Sequence, residues 1–218
     1  MEKIDTINLA DIKSKKVAYT WEPYIPKGAV TILLGDGGIG KSMLSMAIAA
    51  AVTRGLPLPG ADDFSKSAHV IIQNAENSLA AVVKPRLEML GADCSKIHSI
   101  NETEARLTLD DERIEAAIRQ HRAALFVADP IQAYLGSTVG MNSAERIRPV
   151  LTKLGQIAET NHCSILLVGH LNKAKSKANY RGLGSVDIFN SVPSVLYLGA
   201  HEDDKDVRVM VHGKANLS

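Results

Sequence analysis

Five apolar runs, at residues 29–34, 69–73, 124–128, 164–168 and 194–198, are continuous rather than alternating, and each is of strand length. Between them lie stretches with helical spacing of apolar positions, at 41–54, 78–90, 110–121 and 144–160. Continuous apolar strands divided by helices predict a parallel sheet with both faces covered, since only a half-buried strand needs polar alternation. A shorter run at 97–100 predicts a further strand. Residues 207–212 alternate and follow the acidic turn Glu202-Asp-Asp-Lys-Asp206, which predicts a closing antiparallel hairpin strand. Pro85 and Pro149 fall inside helical patterns, where each should kink its helix or mark a late start. Residues 1–28 are weakly periodic and contain Trp21-Glu-Pro-Tyr-Ile-Pro-Lys-Gly28; they read as an N-terminal arm ahead of a domain at 29–218.

Composition narrows the class. At 218 residues and 45% apolar content the chain is long and apolar enough for a full core, which excludes disorder and a disulfide-stapled scaffold. Lys plus Arg is 25 and Asp plus Glu is 24, so the net charge of +1 excludes a strongly basic, histone-like binder but leaves room for a local basic groove. Two cysteines, Cys94 and Cys163, point to a reducing cytoplasm. No apolar segment follows Met1, and the longest apolar stretch, 46–52, is far short of the roughly 20 residues a membrane span needs. A cytoplasmic protein without membrane attachment is expected.

The chemistry starts at Gly35-Asp-Gly-Gly-Ile-Gly-Lys-Ser42, which fits G-x-x-x-x-G-K-[ST] between an apolar run and a helical pattern. Glycines let successive backbone N–H groups turn inward around a phosphate, and the N-terminus of the following helix adds its dipole. Gly35, Asp36, Gly37, Gly38, Ile39, Gly40, Lys41, Ser42 and Met43 are therefore the expected nucleotide-binding residues. Lys41 would supply charge to the β- and γ-phosphates of ATP, and the Ser42 hydroxyl would ligate Mg²⁺. Asp129 closes the run at 124–128 and is the second expected Mg²⁺ ligand. Pro130 follows it, so the base that activates water must come from elsewhere. Glu76 lies just past the run at 69–73, at the sheet edge where ligands of open α/β sheets bind, and is the candidate. His170 reaches the same edge from the run at 164–168 and is placed to sense the γ-phosphate.

Further segments carry a resemblance. They are Trp21–Gly28, Gly35–Ser42, Asn74-Ala-Glu-Asn77, Lys84-Pro-Arg-Leu-Glu88, Leu109-Asp-Asp-Glu-Arg-Ile-Glu115 and Asp129-Pro-Ile-Gln-Ala-Tyr-Leu-Gly136. Arg148-Pro-Val-Leu151, Val168-Gly-His-Leu-Asn-Lys173, Tyr180-Arg-Gly-Leu-Gly-Ser-Val-Asp187 and Lys214-Ala-Asn-Leu217 continue the series to the end of the chain. With them the sequence resembles the RecA-fold AAA-family ATPases related to RepA, the hexameric replicative helicase of plasmids, and in particular a branch found in mobile elements and phages. The resemblance implies an α/β fold with a RecA-like P-loop NTPase core. It is a mainly parallel sheet with helices on both faces and a C-terminal antiparallel hairpin, and the His170 strand lies between those of the P-loop and Asp129. It implies ATP hydrolysis assisted by Glu76 in a ring-type homo-oligomer, expected to be a hexamer, with nucleotide between subunits. By position Arg181 matches the family's Arg-Gly, and Lys214 matches a lysine that reaches the neighbour's γ-phosphate. Pro193 stands where the family usually carries an Arg before the run at 194–198, and relatives usually continue through a further strand, so a shortened C-terminus is expected.

Single-stranded DNA is the expected partner. Lys173-Ala-Lys-Ser-Lys-Ala-Asn-Tyr-Arg181 holds four cations after the His170 strand, in the loop that faces the channel of RecA-like rings. Gly136-Ser-Thr-Val-Gly-Met-Asn142 is its candidate companion. A solvated loop is the competing reading. Cys94, His98, His162 and Cys163 lack the spacing of a zinc ribbon or finger. Trp21 and Tyr24 read more readily as packing on the sheet edge than as a stack on adenine. Three functions remain open: a helicase or DNA-dependent ATPase in replication of a mobile element, a regulatory or loader ATPase without unwinding, and a nucleotide-binding oligomerisation switch.

Overall fold

The computed structural model of the chain describes residues 5–61, 66–136, 144–171, 190–204 and 206–217. Seven strands form one sheet in the order β5-β4-β6-β7-β3-β8-β9. They are β3 (Val30–Gly35), β4 (Val70–Asn74), β5 (Ile97–His98), β6 (Leu125–Asp129), β7 (Ser164–His170), β8 (Ser194–Ala200) and β9 (Arg208–Ala215). All neighbours pair in parallel except β8 and β9, which close the sheet as an antiparallel pair. This is a RecA-like α/β P-loop core, and β7 does lie between β3 and β6.

Strand periodicity explains why the apolar runs are unbroken. Leu33, Val70, Ile72, Leu125, Val127, Leu166, Val168, Leu196 and Leu198 face one layer. That layer holds Met46, Ile48, Ala49 and Val52 of α1 (Lys41–Arg54) and Leu87 of α2 (Lys84–Met89). Ile32, Leu34, Ile71, Phe126, Ala128, Ile165, Leu167 and Val195 face the other. There they meet Ile114 and Ile118 of α3 (Glu112–His121) and Leu151, Leu154 and Ile157 of α4 (Ala144–Asn161).

Two helical expectations are modified by proline and by a cap. The expected helix at 78–90 divides at Pro85. Residues Leu79–Val83 form a wider turn in which the Lys84 N–H bonds the Leu79 carbonyl, and α2 then begins with Pro85 in its first turn. A ring at Pro85 would clash with the carbonyl four residues back in an ordinary helix, and the wider turn relieves this. The helix expected from 110 starts at Glu112, because the Asp111 carboxylate caps it by accepting the Arg113 N–H at 2.8 Å. Pro149 lies in the second turn of α4.

Part of the N-terminal region is folded onto the sheet. β1 (Tyr19–Trp21) and β2 (Ile25–Pro26) pair as an antiparallel hairpin. Trp21 is 5% exposed and Ile25 fully buried. Two serines at strand starts hold the hairpin: Ser164 Oγ donates to the Pro26 carbonyl at 3.1 Å and Ser194 Oγ to the Tyr24 carbonyl at 2.7 Å. The Trp21 indole N–H donates to the Pro59 carbonyl at 2.9 Å, and its ring meets Tyr24 edge-on with centroids 4.9 Å apart. Both aromatic rings are thus used in packing.

Trp21→Ala removes a buried ring and a partly buried hydrogen bond, and should cost about 3–5 kcal/mol of stability. Denaturant unfolding would detect it as a lower midpoint with an unchanged slope; a loss below about 1 kcal/mol would mean that the hairpin is not part of the cooperative core.

Candidate active site

The C-terminal edge of the parallel sheet gathers the residues with chemistry. β3 ends at Gly35, where a Cβ would lie 2.5 Å from the Leu198 carbonyl oxygen of β8, so only glycine permits this approach. The chain then turns through Gly38 at φ 73° and Gly40 at φ 100°, both left-handed, and enters α1 at Lys41. Gly40 caps that helix without a side-chain acceptor, so the first-turn N–H groups are available to an anion.

Lys41 is 4% exposed, and its ammonium sits inside the turn. Nζ lies 2.8 Å from the Gly35 carbonyl, 2.7 Å from the Asp36 carbonyl and 3.3 Å from His170 Nδ1. An ammonium has three protons and no acceptor, so all three are used and Nδ1 must be the acceptor. The proton of a neutral His170 is then on Nε2, which faces Glu76 Oε1 at 3.5 Å. Burial lowers the Lys41 pKa, and the nearby charges of Asp129, Asp36 and Glu76 oppose that shift.

β6 and β4 supply the carboxylates. Asp129 is 4% exposed, and its Oδ2 has no hydrogen-bond partner. Burial raises its pKa; the Ser42 hydroxyl lowers it by hydrogen bonding, Glu76 raises it further, and Lys41 and His170 lower it. Asn74 pairs with Asp129 across the sheet, and the Ala75 N–H donates to the Asp129 carbonyl at 3.1 Å. The Asn74 carboxamide oxygen accepts the Asn77 N–H at 2.8 Å, which fixes the turn carrying Glu76. Asp36, Glu76 and Asp129 therefore act electrostatically on one ammonium. That excess of negative charge, with an orphaned carboxylate oxygen beside the Ser42 hydroxyl, suits a hard divalent cation. Among the described residues no group of three or more His, Cys, Asp or Glu is arranged to hold a metal ion. A cation here would need phosphate oxygens as further ligands.

The structure thus brings together residues 35–43, Glu76, Asp129 and His170. Lys214 lies apart. It is opposite Val195 near the start of β8, whereas Gly35 is opposite Leu198, and its Nζ donates to the Asn190 carbonyl at 3.0 Å. Arg181, the stretch 173–180 and residues 137–142 lie outside the described residues. One cation near the loop has no counterpart in the sequence reading: Arg208 Nε donates to the Ile39 carbonyl at 3.1 Å. In the sequence it is an unremarked polar position in an alternating strand.

Comparison with known proteins adds a family to this geometry. Residues 3–176 match the AAA domain family. The chain is 30% identical over 175 residues to the DNA repair protein RadA of Bacillus subtilis, covering 79% of this chain and 33% of that protein. Against RadA of Streptococcus pneumoniae it is 27% identical over 172 residues, with 78% and 35% covered. Against RadA of Helicobacter pylori the figures are 23% over 190 residues, with 85% and 37% covered. The chain spans about a third of the length of these curated relatives. No helix among the described residues is long and apolar enough to cross a membrane.

Asp129→Asn tests the electrostatics. A carboxylate whose pKa is raised by folding favours the fold below its unfolded pKa of about 4, and that advantage is lost as pH rises through the folded value. The stability of Asp129→Asn relative to the native chain should therefore increase from pH 4 to pH 8 in the absence of Mg²⁺ and nucleotide. Thermal unfolding across that range measures it; a difference independent of pH would mean that Asp129 carries no net burial penalty.

Proposed function

The chain belongs to the AAA domain family, and from that premise we propose that it is a RecA-like motor domain that hydrolyses ATP at the C-terminal sheet edge and acts on single-stranded DNA. The observation that carries this reading is the junction of four strand ends, where the buried Lys41 ammonium, His170, Glu76 and the orphaned Asp129 oxygen meet beside a glycine turn at a helix N-terminus.

In this reading the N–H groups of residues 37–42 and the Lys41 ammonium hold the phosphates. A phosphate oxygen would compete for the protons that Lys41 gives to the Gly35 and Asp36 carbonyls. Ser42 and Asp129 would hold Mg²⁺, which would supply charge neutralisation for the phosphates when bound. Glu76 takes a proton from the attacking water. His170, with Nδ1 against Lys41 and Nε2 against Glu76, links the phosphate to the base. Relay to the following segment of sequence, with its four cations from Lys173 to Arg181, would couple hydrolysis to DNA.

The partner reading extends this. The relatives are DNA repair proteins by name, which supports an association with DNA. A ring-type homo-oligomer, with helicase activity in replication of a mobile element, is the finer form of the proposal. Lys214 acts there in trans: Arg208 faces its own loop, and Lys214, six residues further along β9, stands about 20 Å away at a strand rise of about 3.3 Å per residue. Arg181 is the second candidate cation for the neighbour's γ-phosphate.

Lys41→Ala should weaken ATP binding measured by calorimetry, since the backbone N–H groups alone cannot offset the γ-phosphate charge. Glu76→Gln should keep binding and lower turnover by about 10²-fold or more. Native turnover should rise with single-stranded DNA; robust turnover without stimulation would leave a loader, and no turnover a switch.

Subunit mixing tests the ring. Lys214→Ala and Lys41→Ala chains should each be inactive alone and recover part of the activity when mixed, because some interfaces then pair a good cradle with a good cation. Absence of recovery, with specific activity independent of concentration, would overturn the trans role.

A further inference from the structure

We propose that Arg208 is a positioning residue for the phosphate cradle: by holding the Ile39 carbonyl it aims the Gly40 N–H into the loop as a preformed donor. The proposal rests on the reading of residues 35–42 as a phosphate cradle and assigns a role to a side chain outside that motif.

The argument is one of peptide geometry. Arg208 opens β9 opposite Ala200, at the same sheet edge as the loop, and its Nε donates to the Ile39 carbonyl at 3.1 Å. The Ile39–Gly40 peptide is trans and planar, so its C=O and N–H point in opposite directions. A carbonyl held toward β9 leaves the Gly40 N–H pointing away from β9. The sheet runs β9, β8, β3, β7, so that direction leads toward β7, where His170 and the Lys41 ammonium lie.

The Ile39 side chain packs against the core and the Gly40 carbonyl accepts the Leu44 N–H at 2.9 Å, but both contacts lie beside the Ile39–Gly40 peptide plane rather than on its own C=O and N–H. Gly38 at φ 73° and Gly40 at φ 100° flank it, and glycine also populates negative φ at little cost. A Cβ at Gly37, Gly38 or Gly40 would meet nothing within 4 Å, so packing does not restrain them. A rotated peptide would present the Ile39 carbonyl, rather than an N–H, to an incoming phosphate. The hairpin that carries Arg208 is well anchored for the task. β8 pairs with β3 up to Gly35 and Leu198, and the His201 N–H bonds the Val207 carbonyl at 3.0 Å next to Arg208.

The atom that donates decides the test. Gln carries its amide nitrogen at the same number of bonds from Cα as Arg Nε, so Arg208→Gln keeps the donor and removes the charge, whereas Arg208→Ala removes both. Titration calorimetry of the full chain with MgADP should give a dissociation constant about tenfold higher for Arg208→Ala, corresponding to one lost charge-assisted anchor. Arg208→Gln should stay within about threefold of native, since a neutral donor retains most of the orientation. The melting temperature without nucleotide should move by less than about 2 °C in both, as for an exposed substitution. Steady-state turnover should show KM rising in Arg208→Ala with kcat nearly unchanged, because the N–H serves ground and transition states alike. Equal affinity in native and Arg208→Ala chains would overturn the proposal alone. Arg208→Gln as weak as Arg208→Ala would also overturn it, by showing that charge and not peptide orientation matters. A native chain that binds no nucleotide would overturn the cradle reading and this proposal together.

Discussion

A buried ammonium needs three acceptors in fixed directions, and most of the active-site architecture follows from how Lys41 obtains them. Two are carbonyls at the end of β3, Gly35 and Asp36, and the third is His170 Nδ1 at the end of β7. That set exists only because β7 lies directly beside β3. The same contact dictates the His170 tautomer and turns its second nitrogen toward Glu76, which the β4–β6 pairing delivers from the other side. Strand order and the protonation pattern of the site are therefore one constraint seen at two scales.

The two ends of the sheet are treated in opposite ways. At the N-terminal ends, Ser164 and Ser194 donate to the β1–β2 hairpin, and Trp21 and Ile25 seal the layer beneath it. At the C-terminal ends, Asp129 is buried with an unpaired oxygen, and the loop runs through left-handed glycines that no packing restrains. Burial of a carboxylate without a full set of partners works against the fold, and such cost is a mark of sites built for a ligand. The continuous core of both layers offsets it, with Phe126, Ile71, Leu33 and Leu166 all fully buried.

The β8–β9 pair gives the loop a second wall. Gly35 approaches the Leu198 carbonyl too closely for any side chain, and Arg208 reaches back to Ile39. β9 thereby carries two cations with different surroundings, Arg208 beside its own loop and Lys214 near the opposite end of β8. Burial lowers the pKa of Lys214, whose ammonium donates to the Asn190 carbonyl at 3.0 Å.

Much of this molecule is legible in its sequence, for local reasons. The five apolar runs are strands because both faces of a central strand are dry, and the motif at 35–42 is readable because left-handed turns demand glycine where it stands. Glu76, Asp129 and His170 were legible as strand-end residues, since strands of a parallel sheet all end at one edge. Pro85 announced a break but not its form, because a π-type turn depends on how the helix packs. Trp21 and Ile25 read as parts of an arm, since strands of three and two residues leave no periodicity, and their burial depends on Pro59, Ser164 and Ser194 far along the chain. Arg208 was illegible: its partner is 169 residues away, and the contact is to a backbone carbonyl, which has no sequence signature. The sequence by itself determined the strands, the glycine turn and the residues with chemistry, because these follow from local periodicity and backbone sterics. Only the tertiary structure decided which nitrogen of His170 faces Glu76 and which side chain orients the Ile39–Gly40 peptide, because hydrogen bonds between distant segments exist only once strand order has brought them together.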